Sequence, residues 1–241
     1  MTINQCKDYQ ELSKTAADWL IGRIRKNPLS KISIATGNSA LGMYSTITKA
    51  QNLNTKSLSL FQLDEWVGLS EYHHSCMSYI EKEVRIPRGI AAERAHYFSP
   101  LLTLLDSKKQ AEDAACSMQK ELEMKGPLDI LILGMGKNGH LGFIEPAENW
   151  PPDECYVSKL ARSTRNHKMI SSEKMPPEYG ITMGIKSILQ AKEILFIVTG
   201  TGKTATYSEW LKKVVTPNLP ASILWKHPRV SLITDLKLVG A

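Results

Sequence analysis

The chain has only four cysteines, Cys6, Cys76, Cys116 and Cys155, far apart, with no CxxC pair and no histidines at metal-ligand spacing. This pattern suggests neither a zinc knuckle nor a disulfide framework, and it fits reduced thiols in a cytoplasm. No stretch approaches the roughly 18 uninterrupted apolar residues of a membrane span, and the opening MTINQCKDYQELSK lacks the apolar core of a secretion signal. A cytoplasmic protein without a membrane partner is expected. Blocks of like charge are also missing. The 30 Lys and Arg outnumber the 24 Asp and Glu to give +6, but they are scattered along the chain. A solvated basic surface is favoured over a polyanion groove, so no nucleic-acid partner is expected; a small basic focus for an anionic metabolite stays open. GxxxxGK[ST] does not occur, so a nucleoside triphosphate site lacks its sequence support.

What is present points to an α/β enzyme. With 241 residues, 42% of them hydrophobic, the chain can bury a large core without disulfides or metals, and one domain over residues 1–241 is the default. Leu12, Ala16, Leu20 and Ile24 share one face of a helix over Tyr9 to Arg25, which ends before Asn27-Pro28. KISIATG then reads as a strand ending in glycine, followed by the helical LGMYSTITKA. The alternation returns as SLSLFQLDEW, helices near Met77 to Val84 and Lys108 to Met124, the apolar LDILILGMG, and EILFIVTGTGK before TATYSEWLKKVV. LPASILWKHPRVSLITD reads as a last strand closing the sheet, with Trp225 and His227 as packing residues. Glu148 to Pro152 and Glu173 to Glu178 read as loops. Such alternation predicts an open, mostly parallel, Rossmann-like three-layer sheet covered by helices on both faces, with ligands beyond the carboxyl ends of its strands.

Three apolar runs end in small or glycine-rich turns: Thr36-Gly37-Asn38-Ser39, Gly134-Met135-Gly136-Lys137-Asn138-Gly139 and Thr199-Gly200-Thr201-Gly202-Lys203. A glycine turn opening a helix exposes N–H groups that hold phosphate, although glycine serves ordinary turns equally well. Lys203 would add charge there, or be a solvated loop lysine. Asp64 and Glu65 directly follow a strand, where one of the two can face substrate as a general base; capping or surface exposure is the alternative. Asn138-Gly139-His140 and Glu145-Pro146 place an imidazole and a carboxylate within one loop, suited to proton shuttling or simply to satisfying a loop carbonyl.

Together ATGNSALGMY, LDEWVGL, LDILILGMGKNGHLGFIEP, YGITMGIKSILQAKEILFIVTGTGK and LPASILWKHP resemble, in order and over nearly the whole chain, the glucosamine-6-phosphate deaminase and 6-phosphogluconolactonase superfamily. They are most similar to its galactosamine-6-phosphate isomerase/deaminase branch. The resemblance implies that Asp64 moves the proton between C2 and C1 of an open-chain amino sugar, and that His140 opens the ring with Glu145 positioning it. It implies Thr36, Gly37, Asn38, Ser39 and Lys203 as the phosphate site, Thr182 and Gly184 along the sugar, and Arg165 near the phosphate.

Asn138 stands where the glucosamine-type enzymes and lactonases carry Asp, which should make His140 lean on Glu145 instead. The galactosamine branch resembles KNGHLG at this point. Ile144 stands where relatives usually have Asn. Because Ala147 to Val157 does not resemble the allosteric segment of hexameric members, no activation by an N-acetylated sugar phosphate is expected. The implied chemistry needs no metal and no cofactor, a sugar phosphate is the expected partner, and a homo-oligomer is possible. A lactonase would keep His140 without using a C2 base. A sugar-phosphate sensor would carry a helix-turn-helix before this region, where the sequence has room for a single helix.

Overall fold

In a computed structural model, residues 1–98 and 108–237 are described. The chain opens with β1 (Thr2–Gln5). Asp8 then starts α1 (Tyr9–Lys26): its carboxylate accepts from the Glu11 N–H at 2.8 Å, while Glu11 accepts from the Lys7 N–H at 2.8 Å. These reciprocal bonds satisfy two orphan donors of the first turn. Leu12, Ala16, Leu20 and Ile24 are buried along one face. There follow β2 (Lys31–Ile34), α2 (Asn38–Thr48), β3 (Ser59–Gln62), β4 (Asp64–Val67), α3 (Cys76–Ile80) and β5 (Ala95–His96). The rest comprises α4 (Lys108–Lys125), β6 (Ile130–Gly134), β7 (Tyr156–Lys159), α5 (Arg162–Arg165), β8 (Tyr179–Thr182), α6 (Ile185–Gln190), β9 (Glu193–Val198), α7 (Thr204–Leu211) and β10 (Val230–Thr234).

Seven strands form one sheet in the order β1-β10-β9-β6-β2-β3-β5, and all its registered pairs are parallel. Consecutive residues of β2, β6 and β9 are buried, Ile32 to Ile34, Ile130 to Leu133 and Ile194 to Val198, as required when both faces of a parallel sheet are covered. From β2 the order runs outward through β3 and β5. From β6 it runs the other way through β9 and β10. The crevice at the carboxyl ends of β2 and β6 is therefore the topological switch point, where open α/β sheets bind ligands.

The structure departs from the sequence reading in three places. SLSLFQLDEW is not one strand. It breaks at Leu63, whose carbonyl accepts from the Met183 N–H at 2.9 Å, and β4 joins a second, antiparallel sheet in the order β4-β8-β7. Asp64 is thus the first residue of β4, opposite Thr182. Next, β10 does not close the sheet, because β1 pairs outside it, Thr2 with Ser231 through Gln5 with Thr234. Burial on both sides explains why β10 reads Val230, Leu232 and Ile233 inward. Pro220–Lys226 is a 3-10 turn; Trp225 stacks on Trp210 at 4.5 Å and His227 Nε2 lies 2.7 Å from the Ala191 carbonyl, so both are packing residues.

Glu65 holds the break in place. Its buried carboxylate accepts from Gln62 Nε2 at 2.7 Å and from the N–H groups of Trp66 (2.8 Å), Cys76 (2.9 Å) and Met77 (2.9 Å). One side chain thereby joins β3, β4 and the start of α3. Glu65→Ala leaves these donors buried without an acceptor. At about 1–3 kcal/mol for each unsatisfied group, urea denaturation should show a loss of at least about 3 kcal/mol. A loss below about 1 kcal/mol would mean that water replaces the carboxylate.

Candidate active site

Three loops meet at the switch point. The first follows β2. Gly37 has φ +96°, a left-handed backbone that favours glycine, and it caps α2 without any side-chain bond, leaving the first N–H groups of the helix open. The Tyr79 hydroxyl donates to the Gly37 carbonyl at 3.0 Å. Tyr9 donates to the Asn38 carbonyl at 2.6 Å and accepts from the Gly42 N–H at 2.9 Å. Lys203, from the loop after β9, donates from Nζ to Ser39 Oγ at 2.9 Å. The structure so brings together Gly37, Ser39 and Lys203. The Asn38 side chain is exposed. Thr36 turns the other way, donating from its hydroxyl to Cys76 Sγ at 3.3 Å.

Burial lowers the Lys203 pKa to about 8; the Asp235 carboxylate opposes that shift and Lys137 adds to it. An ammonium held below its usual value regains its proton affinity when a phosphate arrives.

Asp64 is the second component. It is 7% exposed, and its Oδ1 is buried with no hydrogen-bond partner. Its neighbour Glu65 points away into the four-donor nest, so of the adjacent pair only Asp64 carries a free carboxylate. Burial, and then the Glu65 charge, raise the Asp64 pKa to about 7, with a hydrogen bond from the Cys76 thiol pulling the other way. A carboxyl with its pKa near neutrality is matched to proton abstraction.

The third loop carries the imidazole. Gly136 donates its N–H to the His140 carbonyl at 3.0 Å, and the Gly139 N–H bonds to the Gly136 carbonyl at 3.0 Å. Gly139, with φ +89°, lies against Leu219, and its carbonyl accepts from the Ala221 N–H at 2.9 Å, so the 3-10 turn buttresses the loop. His140 Nδ1 lies 3.2 Å from Thr164 Oγ1 and 3.6 Å from Glu145 Oε2. Asn138 does not touch the ring. Its amide donates to Glu145 Oε2 at 2.8 Å, and its Oδ1 accepts from the His140 N–H at 3.2 Å. Glu145 also accepts from the Ala161 N–H at 3.2 Å. Burial alone would raise Glu145, but bonds from His140, Thr164 and Asn138 outweigh it and lower its pKa. The result is an ionised carboxylate behind an imidazole. A Cβ built on Gly142 would come within 3.3 Å of Asp64 Oδ2, so this loop also abuts Asp64.

Comparison with known proteins shows the family. The family model for glucosamine-6-phosphate isomerases and 6-phosphogluconolactonases matches residues 7–233. The chain belongs to that family. It is 34% identical over 241 residues to a glucosamine-6-phosphate deaminase of Shouchella clausii (strain KSM-K16), covering 98% of this chain and 95% of the relative. It is 33% identical over 231 residues to AgaI, a candidate deaminase of Escherichia coli (strain K12), covering 94% and 88%. Among solved structures, a monomeric glucosamine-6-phosphate deaminase of the NagB superfamily superposes with a TM-score of 0.86, at 26% identity and 97% coverage of both chains.

Within this glucosamine-6-phosphate isomerase family member, the remaining residues expected at the site have other surroundings. Thr182 is fully buried; its hydroxyl accepts from the Phe143 N–H at 3.3 Å and donates to the Met183 carbonyl at 3.2 Å, so it backs the wall behind Asp64. Gly184 is a backbone crossing, where a Cβ would come within 2.2 Å of the Glu154 carbonyl. Arg165 donates to the Pro176 carbonyl at 3.4 Å and keeps a buried, unpartnered Nε. Ile144 is packed in the core.

Sequence reasoning passed over Lys137, whose Cε lies 3.4 Å from the Cβ position of Gly202, although it stands between the glycines of GMGKNGHLG. It also missed Cys76, Thr164 and His167, which carry no motif and are placed by tertiary contact alone. A cavity of about 760 Å³ lies between α4 and β7. It shares only Glu145 with the cleft and none of the glycine loops. Among the described residues no group of three His, Cys, Asp or Glu side chains is gathered to hold a metal ion.

Two consequences can be measured. A Cβ on Gly136 would lie 2.3–2.4 Å from the His140 ring, while its backbone φ is not left-handed. Gly136→Ala should therefore displace the imidazole and cut turnover at least about tenfold while shifting the unfolding midpoint little; normal turnover would show that the ring position is immaterial.

The second concerns stability. Asp64 rises from the ordinary 3.8 to about 7 in the folded state, so its favourable contribution is present below about pH 4 and is lost as pH rises through 7. The penalty at alkaline pH is on the order of 4 kcal/mol. Asp64→Asn should raise the melting temperature at pH 8 by more than at pH 5. Equal effects at both values would refute the perturbed carboxyl.

Proposed function

We propose that this chain is an amino-sugar phosphate isomerase/deaminase that converts galactosamine 6-phosphate to a ketose 6-phosphate and ammonia. The observation carrying this reading is Asp64, a buried carboxylate with an unpartnered oxygen and a pKa near 7, abutted at Gly142 by the loop that carries an imidazole backed by Glu145. Substrate phosphate sits on the open N–H groups at Gly37 to Ser39 and on Lys203. His140 takes the proton from O1 and delivers it to the ring oxygen, opening the ring. Asp64 removes the C2 proton, and protonation at C1 converts the enolamine to a ketimine at C2. Water hydrolyses the ketimine, releasing ammonia and leaving the ketose.

Phosphate binding acts remotely from the reacting carbons and holds C2 against Asp64. A phosphate-free amino sugar should consequently lose turnover as well as affinity.

The galacto epimer is favoured by the resemblance of GMGKNGHLG, with Asn138 in place of Asp, to that branch. Glucosamine 6-phosphate is the second reading, because relatives 32–34% identical carry the name glucosamine-6-phosphate deaminase. A 6-phosphogluconolactonase would require His140 but would give Asp64 no task.

The test is to follow ammonia, ketose phosphate and acid release in parallel from galactosamine 6-phosphate, glucosamine 6-phosphate and 6-phosphogluconolactone. Ammonia from the first is expected. Acid release without ammonia would replace this reading with a lactonase, and inactivity on all three would leave a sugar-phosphate sensor. General-base help is typically worth about 100- to 10,000-fold, so Asp64→Asn should lower kcat by that order. In the wild type, kcat/KM should fall as pH drops through about 7, where the carboxylate gains its proton; a flat acid limb would argue against Asp64 as the base.

A further inference from the structure

We propose that His167 is a ligand of the substrate's phosphate, donating a hydrogen bond from Nε2 as a neutral imidazole. The inference rests on the sugar-phosphate reading and adds a residue to it that no motif marks. His167 follows α5, the short helix whose Thr164 reaches His140. A Cβ built on Gly37 would lie 3.9 Å from His167 Cε1 and 4.0 Å from Nε2, so that edge of the ring faces the left-handed glycine of the phosphate loop. Trp66 flanks it, with ring centroids 6.2 Å apart.

The other nitrogen is already engaged. His167 Nδ1 accepts from the Met169 N–H at 3.2 Å, capping the short turn Lys168–Ile170. The proton of the neutral ring therefore resides on Nε2, on the side of Gly37. Among the described residues no protein group bonds that nitrogen. A second proton would have to occupy Nδ1, against the Met169 N–H.

The charged surroundings act in the same direction. Although the side chain is open to solvent on one side, the surrounding protein partly desolvates the ring and lowers the His167 pKa, and His140, Lys203 and Lys137 lower it further. These three groups are the titratable neighbours facing the ring, and each opposes an additional cation. A neutral Nε2–H donor meets the need of a phosphate oxygen without that cost. The lysines supply the charge, and His167 supplies direction.

The test uses the full chain and three variants at this exposed position, His167→Gln, His167→Asn and His167→Leu, with circular dichroism to check folding. A Gln amide can reach the place of Nε2, whereas an Asn amide reaches only that of Nδ1. Inorganic phosphate binding is measured by calorimetry, and KM and kcat with whichever hexosamine 6-phosphate is turned over. Expected is a roughly tenfold to hundredfold weaker phosphate affinity, a matching rise in KM and a smaller fall in kcat for the Leu and Asn variants, and recovery of most of the loss by Gln.

Nitrogen-15 spectra of the wild type should show His167 as the Nε2–H tautomer with phosphate bound; a doubly protonated ring would overturn the neutral assignment. If the Leu variant binds phosphate like the wild type while Lys203→Gln does not, His167 is no ligand and the phosphate site stands. Should the wild type bind no phosphate, the site reading falls and the His167 assignment falls with it.

Discussion

The cleft depends on the unequal partnering of two adjacent buried carboxylates. Glu65 receives four donors and becomes a structural bolt between β3, β4 and α3; Asp64 receives one weak thiol bond and retains an orphan oxygen. The two states require each other. The Glu65 charge helps to hold the Asp64 pKa up, and the strand break that Glu65 secures aims Asp64 away from the nest. Burying a poorly partnered carboxyl costs stability, and such costs concentrate where a group must be ready to exchange a proton.

Around that pair the switch point distributes charge along one axis. At one end lie Asp64 and the Glu65 nest; at the other lies Lys203, whose pKa burial lowers to about 8 with a lesser contribution from Lys137. The His140 loop bridges the ends, since Gly142 abuts Asp64 and Gly134 lies beside Ser39. A ligand carrying an amine near one end and a phosphomonoester at the other matches this polarity. A ligand of a single charge sign would satisfy one end and leave the other unbalanced.

Much of this layout was legible in the residues. The 3.6-residue spacing of α1, the apolar runs of β2, β6 and β9, and the glycine turns after them depend on local chemistry, and local chemistry is what periodicity reports. That Asp64 and Glu65 have unlike surroundings follows from alternation along a strand, which is geometric. What was hidden depends on contacts distant in sequence. The break at Leu63 requires β8, more than a hundred residues later, to offer the Met183 N–H. β7 and β8 are short strands that neither composition nor turn residues announce. Thr182 and Gly184 stand inside a recognisable segment, yet one lies behind the wall and the other at a backbone crossing. A motif names a neighbourhood and does not say which side chain in it is exposed to ligand.

The position of His167 shows why such a site gains from a donor without charge. Burial, and to a lesser degree Lys137, already shift Lys203 toward its neutral form, so a further fixed cation would drive Lys203 further down and weaken the attraction it was added to strengthen. A neutral N–H held by its own turn avoids that competition. It also couples the two ends through the chain: α5 presents Thr164 to His140, and the residues just after it place His167 beside Gly37. Any motion of this segment therefore moves the partner of His140 and the His167 ring beside Gly37 together. On the proposed reading, phosphate occupancy and the orientation of His140 would be linked by the six residues of backbone from Thr164, which contacts His140, through Met169, whose N–H bonds His167 Nδ1.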